Sequence, residues 1–456
     1  MAKPYTIDWR NFMAGESTSD SSNDGGFSPA SYGLNLTYDP GMLYFSATFT
    51  DNAGATLTGN IIASADDRNY VGNDKYFVDD EGAFYTLSGA TFTKRQTAGG
   101  GDSGNFVLGT SDMLQFNLVT YATATTVMYE LTGGDLATVA NVWAGLDGNF
   151  RHPLEIVEDE MFIGNKNVIY YLNNAGTTGT AFTLPVEVNV TSLRRHPDGR
   201  TLLAFCGTTG DLNGAHSRAG SGRVYFCDPN IRDWTREVVI EEQIDGSRMV
   251  GGVVYCTMGD TFGYWDGNGF KPLKTFETST ITFSHQISNW NDILLVRDGL
   301  NLLAFGDVGA GNVWWKPYKN TTNTNHINCV SYKGGNVLMP AFKGASAGTG
   351  LLYEIDQDSI GADGKFYTNR LDFDDEATVQ RIKLLHDATT ASTRFVVYSR
   401  DTNDTESTLF DKTHGVADVI RTNEKVSLTD ETHQFVLSPL NDDIGFRIIR
   451  IYASGK

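Results

Sequence analysis

The chain has 456 residues, with 35 Lys and Arg against 55 Asp and Glu, a formal net charge of −20. That sign excludes a protein that holds nucleic acid by neutralising phosphates over its surface. Hydrophobic residues at 40% and aromatics at 12% exclude a wholly disordered chain, and 49 Gly against 11 Pro favours tight turns over collagen-like or polyproline structure.

In chain order, Met1 to Gly15 places Asp8 and Arg10 where a secretory signal needs an apolar run. No later stretch approaches the length of a membrane span, so synthesis in the cytosol and no membrane crossing by this route are expected. Residues 15–30, Gly-Glu-Ser-Thr-Ser-Asp-Ser-Ser-Asn-Asp-Gly-Gly-Phe-Ser-Pro-Ala, are too polar to hold themselves in place. Residues 1–42 therefore read as an extended N-terminal arm ordered by neighbouring subunits, with Trp9, Phe12, Phe27 and Tyr32 as its contact residues. Asp20 to Gly26 alternates oxygen ligands ahead of a glycine, as calcium loops do, but Ser31 stands where the bidentate Glu belongs. A plain loop is the preferred reading there.

From residue 43 to 357, helical periodicity is almost absent. Short runs rich in Val, Ile, Thr, Tyr and Phe recur between Gly, Asn and Asp clusters, as in a succession of hairpins. His196-Pro-Asp-Gly-Arg and Tyr264-Trp-Asp-Gly-Asn-Gly supply the positive-φ residues that reversals need. One strand type, an apolar residue followed by an aromatic, recurs at Tyr85, Tyr129, Tyr170, Tyr225, Tyr264, Trp314 and Tyr353. The mean period, about 45 residues, suits a four-stranded propeller blade. The fold class is therefore all-β: a β-propeller of about seven four-stranded blades, with six or eight open. In the fourth copy, Thr191–Arg195, Thr201–Gly207, Arg223–Asp228 and Thr235–Glu241 are the expected strands, with 208–222 as an exposed insert. The last copy lacks a fourth strand, and Leu43–Thr50 or Ala55–Ile62 is expected to supply it and close the ring.

Past Asp356 the pattern changes to alternating runs such as Arg-Ile-Lys-Leu-Leu and Arg-Phe-Val-Val-Tyr, which read as a C-terminal antiparallel β-sandwich over 358–456. Cys206, Cys227, Cys256 and Cys329 sit in apolar strand-like runs without a CxxC pair, so buried reduced thiols are expected rather than zinc ligands.

Candidate chemistry is sparse. The tandem carboxylates Asp79-Asp80-Glu81 and Glu158-Asp159-Glu160 fall on hairpin turns, where acids are turn formers; Asp372-Phe-Asp-Asp-Glu376 is a third cluster. No set of arginines on successive inner strands stands out. The eight histidines are dispersed, and Gly99-Gly-Gly-Asp-Ser-Gly lacks the Lys of a phosphate loop. No catalytic residue, metal site or cofactor is expected. Trp314, Trp315, Tyr318 and Asn320 lie in one aromatic and amide-rich stretch, the makings of a sugar-stacking platform, although core packing uses the same residues.

The opening Trp9-Arg-Asn-Phe-Met-Ala-Gly15, the polar segment after it, Tyr32-Gly-Leu-Asn-Leu-Thr-Tyr-Asp-Pro-Gly41 and the block from Tyr367 to Leu385 together resemble tailed-bacteriophage virion proteins built on a β-propeller, of the tail hub, nozzle and neck type. The resemblance implies a non-enzymatic structural subunit of the virion at the tail or neck. Its partners would be other virion subunits in a homo-oligomeric ring or multi-copy assembly. A receptor- or glycan-binding tail protein that meets a host surface glycan is the alternative, and a propeller glycosidase or lyase ranks third. His196-Pro-Asp-Gly-Arg-Thr-Leu also resembles the hairpin of bacterial repeat propellers.

Overall fold

The computed structural model describes residues 4–10, 12, 15–17, 26–39, 42–46, 50–51, 57–66, 75–88, 91–97, 106–132, 138–207, 221–276, 286–309, 311–319, 326–333, 336–342, 350–359, 361–362, 364–388, 393–415, 417–440 and 444–455. Among them the regular elements are strands. The calcium-loop stretch, the glycine run after residue 98 and most of the insert after Gly207 lie outside the described residues, as do Asn320 and the side chains of Asp372 to Glu376.

Seven of the described sheets have four antiparallel strands in sequence order. They cover 61–97, 113–144, 154–183, 189–240, 244–275, 287–319 and 327–356, the last completed by Thr50–Asp51. Their first strands are Ile61–Asp66, Met113–Phe116, Leu154–Val157, Asn189–Arg195, Ile244–Val250, Ile287–Trp290 and Ile327–Lys333. Each of these packs beside the next, and the seventh beside the first, so the sheets form a closed β-propeller ring around a central channel. Neighbouring inner strands run the same way, since Thr191 bonds Ile244 and Arg194 bonds Ser247. Between sheets, apolar side chains interleave: Leu203, Phe205 and Val224 of the fourth meet Val254, Cys256 and Trp265 of the fifth. All four cysteines are buried free thiols.

The aromatic register is right in six copies and slips in one. Tyr85, Tyr129, Tyr170, Tyr225, Tyr264 and Tyr353 each lie on the third strand of their sheet, but Trp314 lies on a fourth strand, Asn312–Lys319. Phe305 holds the equivalent place in the sixth sheet. Gly263 breaks the apolar-aromatic pattern for a steric reason: a Cβ there would stand 2.1 Å from the Lys271 carbonyl oxygen. Thr50–Asp51 pairs with Tyr353 and Glu354, so the closing strand comes from before the first copy but meets the expected Leu43–Thr50 only at its last residue, while Ile61 and Ile62 of the other candidate belong to the first sheet's own first strand.

The C-terminal residues supply six strands of a seven-stranded sheet with a shared strand. Ala417–Pro439 pairs along its first part with Leu371–Ala388 and along its last residues with Thr393–Arg400 and Phe366–Tyr367. Val379, Ile382 and Leu384 from one part and Phe395, Val397, Phe435 and Leu437 from the other belong to a single core. Glu406–His414, an edge strand of mostly half-exposed and exposed residues, has no apolar face and was not anticipated.

The arm is where the expectation fails. Pro4–Arg10 is a strand of the C-terminal sheet, in register with Phe446–Gly455 from Pro4 against Ser454 to Arg10 against Ile448. Trp9, Phe12 and Phe27 are buried in the core that also holds Trp315, Tyr318, Phe366 and Phe446, and Phe12 meets Phe366 edge-on at 5.5 Å. Tyr32 bridges backbone to Lys365 with both N–H···O distances at 3.0 Å. Further along, Leu43 exchanges two backbone bonds with Phe446, and Asn35 Nδ2 donates to the Gln357 carbonyl at 2.8 Å. The arm thus wedges between the ring and the C-terminal sheet of its own chain instead of waiting for a neighbour. The physical reason is that its polar stretch is flanked by large apolar side chains. Those side chains bury against the chain's own core, and backbone bonds to Lys365, Phe446 and Tyr367 add to them.

Two backbone contacts make this testable: Ser17 N donates to the Phe27 carbonyl at 2.7 Å and Phe27 N to the Gly15 carbonyl at 3.0 Å. In the isolated chain both amides exchange slowly by hydrogen–deuterium exchange. Phe27→Ala, at a site 2% exposed, lowers stability in chemical denaturation by about 3–5 kcal/mol. Fast exchange at both amides in the isolated chain would return the ordering of the arm to other subunits.

Candidate functional site

On a strand, successive side chains point to opposite faces, so two adjacent tryptophans cannot form one platform. Asn312–Lys319 obeys this. Trp315 is fully buried in the large shared core, and Tyr318, 7% exposed, packs on Phe342 and Tyr353 of the seventh sheet at 5.7 and 6.2 Å. Lys316 donates its ammonium to the Pro29 carbonyl. Trp314 faces the other way. Of the four proposed platform residues, two are core, Asn320 lies outside the described residues, and Trp314 alone reaches a recess.

That recess is a cleft of about 430 Å³ lined by Val253, Tyr255, Tyr264 and Leu273 of the fifth sheet and Phe305, Asn312 and Trp314 of the sixth. Its walls are fixed by ring packing. Phe305 and Trp314 have centroids 4.7 Å apart, Phe262 meets Trp314 edge-on at 5.2 Å, and Tyr255 stacks on Phe262 at 5.9 Å. Burial pushes the Tyr255 hydroxyl pKa up, so it stays a neutral donor. Leu273 is 42% exposed at the rim and Asn312 is exposed, which places an amide beside half-buried aromatic faces. The cleft also touches the arm's anchor. Glu16 N donates to the Trp314 carbonyl at 2.8 Å, and Lys274 Nζ lies 2.7 Å from Glu16 Oε1 and 5.6 Å from the Trp314 ring centroid. Gly15, at φ +70°, lets the arm approach this closely; a Cβ there would meet Val313 Cβ at 2.5 Å.

The central channel carries charge that sequence reading missed. Arg151, just before the third inner strand, reaches past the fourth sheet to Asp245 on the fifth. Its Nη1 donates to the Asp245 carbonyl at 2.7 Å and its Nη2 to Oδ1 at 3.1 Å. Both side chains are buried, 4% and 2% exposed, and Gln243 Nε2 also donates to Asp245 at 2.8 Å. Burial lowers the Arg151 pKa and Asp245 opposes that shift. Toward the other end of the inner strands, Arg194, Arg195 and Arg248 from two successive strands line a second recess with Glu155 and Asn289. The arginine set that the sequence did not reveal is therefore present. Its signal was the basic pair Arg194-Arg195 ending one inner strand and Arg248 near the end of the next.

Three of the tandem carboxylates, Asp79, Asp80 and Glu160, are engaged by neighbouring groups, while Glu81, Glu158 and Asp159 are exposed. Asp79 is buried and accepts from Tyr85 Oη at 2.6 Å, Ala83 N at 2.7 Å and Thr58 Oγ1 at 2.9 Å. Asp80 accepts from Asn60 N at 2.7 Å, and Glu160 pairs with Arg232 at 2.6 Å. Among the described residues, no group of three or more His, Cys, Asp or Glu side chains is placed to share a metal ion.

No protein-family model matches the chain. No curated protein matches it either. Among solved structures it is similar to a streptogramin B lyase, with TM-score 0.51 and 8% identity, over 68% of this chain and 97% of that one. It also aligns, at lower TM-scores, with the computationally designed Ika8 protein (0.43, 11% identity, 66% of this chain and 98% of that one) and with a chain of a mitotic checkpoint complex (0.44, 9% identity, 68% and 92%). At 8% identity the first likeness shows the fold alone and says nothing about chemistry in this chain.

The buried Arg151–Asp245 pair sets a measurable expectation. Asp245→Ala strands a guanidinium in the channel and lowers stability by about 3–5 kcal/mol, whereas the double variant Arg151→Met, Asp245→Leu recovers most of that loss. Thermal unfolding followed by circular dichroism compares the three. A double variant as unstable as the single one would mean that the pair does more than neutralise its own charge.

Proposed function

We propose that this protein is a non-enzymatic structural subunit of a tailed-bacteriophage virion, at the tail or neck, assembling with other virion subunits in a ring or multi-copy array. In this reading the ring is a seven-bladed propeller, and the C-terminal sheet is an antiparallel sandwich folded through its shared strand Ala417–Pro439. The observation that carries the proposal is the wedge. Residues 4–51 pair with the C-terminal sheet at Pro4–Arg10, with the sixth sheet at Glu16 and with the seventh at Thr50–Asp51. A chain stitched at three places resists relative motion of its parts, which suits a load-bearing wall. Asp79 holds its hairpin turn through Ala83 N and Tyr85 Oη, and the sequence resemblance supplies the virion setting. Mass spectrometry and electron microscopy of particles purified from cells expressing the chain's phage should find the polypeptide at the tail or neck in multiple copies. Its absence from intact particles rejects the proposal.

The alternative, glycan binding, is favoured by one observation, the aromatic cleft beside Trp314. It shifts from the Trp315 and Tyr318 side of the strand to Trp314, Tyr255 and Tyr264, with Asn312 as the amide. Stacking on Trp and Tyr faces is worth about 1–2 kcal/mol per ring, so Trp314→Ala and Tyr264→Ala each weaken glycan binding by about tenfold. A glycan array followed by titration of the bound sugar checks this. Binding unchanged in both variants removes the cleft as the site.

A further inference from the structure

We propose that the outward face of the C-terminal sheet docks an acidic polypeptide segment, with one apolar side chain of that segment seated in a recess between Lys383, Arg421 and Arg450. Four neighbouring strands build the face: Pro4–Arg10, Phe446–Gly455, Leu371–Ala388 and Ala417–Pro439. Successive side chains on a strand point to opposite faces. In Arg381-Ile-Lys-Leu-Leu385, Ile382 and Leu384 enter the core, as do Ile449 and Ile451 of the next strand, which turns their sequence neighbours outward. The register then sets Asp8, Arg450, Lys383 and Asn423 in one row, and Ile448, Leu385 and Arg421 in the row beside it. Arg381 and Lys425 stand opposite each other in the row beyond Asn423. The recess between the rows holds about 390 Å³, and its lining includes Lys383, Leu385, Arg421, Asn423, Ile448 and Arg450.

Charge and shape together set the occupant. Among the described residues, Arg381, Lys383, Arg421, Lys425 and Arg450 lie on this face, and Asp8 is the acidic residue in register with them. Arg450 already forks Asp8, donating from Nε to Oδ1 and from Nη2 to Oδ2, the latter at 2.9 Å. Glu424 alternates to the other side of its strand, where it pairs with Lys412 at 2.7 Å. Both Lys383 Nζ and Arg450 Nη1 donate to the Tyr452 hydroxyl, at 3.3 and 3.4 Å. The bond from Arg450, and then that from Lys383, lowers the Tyr452 pKa, so the face already favours the anionic form of a neutral neighbour. Arg421 and Lys425 are exposed and Arg381 is half-buried; among the described residues none of these three has an ionic partner. The whole chain carries −20, so this face reverses the sign locally and attracts acidic groups. Leu385 and Ile448, both half-buried, leave an apolar floor among the cations. A bare polyphosphate leaves that floor wet. A peptide whose carboxylates flank a large apolar side chain covers it, and meets the guanidiniums by paired, charge-assisted bonds.

Fluorescence anisotropy on the full chain at low ionic strength tests this with labelled acetyl-Asp-Glu-Phe-Glu-Asp-amide, with the same peptide carrying Ala for Phe, with one carrying Lys for every acid, and with a short oligothymidylate. Saturable binding of the Phe peptide is expected, about tenfold weaker for the Ala peptide, absent for the Lys peptide, and falling as salt is added. Arg421→Gln and Lys425→Gln each weaken the Phe peptide by about threefold to tenfold. Both positions are exposed and without an ionic partner among the described residues, so the variants keep the fold. Lys271→Gln removes one positive charge from an exposed outer-strand position paired with Asp266 at 3.4 Å and leaves binding unchanged. Sedimentation of the unlabelled chain is run beside it: self-association that accompanies peptide binding and is lost in Arg421→Gln supports the proposal and places the acidic segment on a second copy. No saturable binding of the Phe peptide overturns the proposal. So does an Ala peptide that binds as tightly, an oligothymidylate that binds more tightly, or equal weakening by Lys271→Gln and Arg421→Gln, which would mark a diffuse field rather than a site.

Discussion

An unpaired strand edge presents a row of N–H and C=O groups that must be met by water, another element or another chain. The seventh sheet, begun at Ile327 and ending at Asp356, would keep such an edge if the ring used only the residues between Ile61 and Asp356. Thr50–Asp51 meets it at Tyr353 and Glu354. Closing the ring therefore commits the N-terminal part of the chain to the far side of the sixth and seventh sheets, and the path there from Pro4 passes between the ring and the C-terminal sheet. Ser28 N bonds Tyr367, Ser46 Oγ bonds Pro317 at 2.9 Å, and Asn369 Nδ2 reaches Ser17 Oγ at 2.9 Å. The wedge is a consequence of where the closing strand has to arrive, and the aromatic side chains along it make that route favourable.

The ring was legible because its signals are local. Hairpin turns such as Asp198-Gly199 fix reversals, with Gly199 at φ +78°, and each blade repeats the same apolar third strand. The four strands expected around 191–241 match Asn189–Arg195, Leu202–Gly207, Gly222–Asp228 and Asp233–Ile240 to within a few residues. Trp314 misled the register because a tryptophan satisfies an apolar-aromatic pattern on either outer strand. The role of the arm was less legible because its evidence is nonlocal. Tyr5, Ile7 and Trp9 alternate with Thr6, Asp8 and Arg10 as a strand should, yet nothing nearby in sequence offers a partner, which lies more than 400 residues away. The platform reading erred on a local rule that was in view, since Trp314 and Trp315 had to point apart. The channel arginines were missed for the opposite reason: their grouping depends on which strands are innermost, a property of the closed ring.

The chain carries a formal net charge of −20. An acidic chain gains solubility from its surface but pushes like copies apart. Within the ring, the buried groups are matched: Arg151 by Asp245, and Arg194 by Glu155. Such pairs contribute little net stability compared with apolar packing, and breaking one is costly because the survivor is left desolvated. Their effect is to fix the register between inner strands of different sheets, since Arg151 can reach Asp245 only when the sheets on either side of the fourth stand at one spacing.

The cleft and the arm share a structural element, and this couples them. Trp314 offers one face of its backbone to Glu16 and its ring to the cleft, while Lys274 stands between Glu16 and that ring. Withdrawing the arm would remove the carboxylate opposite Lys274 and uncover Val313 beside Gly15. The Trp314 ring would then lose part of the support that holds its angle to Phe262 and Phe305. A ligand that requires the docked geometry stabilises the docked arm by the logarithm of its saturation, and by reciprocity a docked arm strengthens the ligand. The strand that completes the seventh sheet, Thr50–Asp51, follows the arm in the chain, so the arm links the cleft at Glu16 to that sheet, and the two readings of this protein, wall and receptor-binding surface, are physically compatible within one chain.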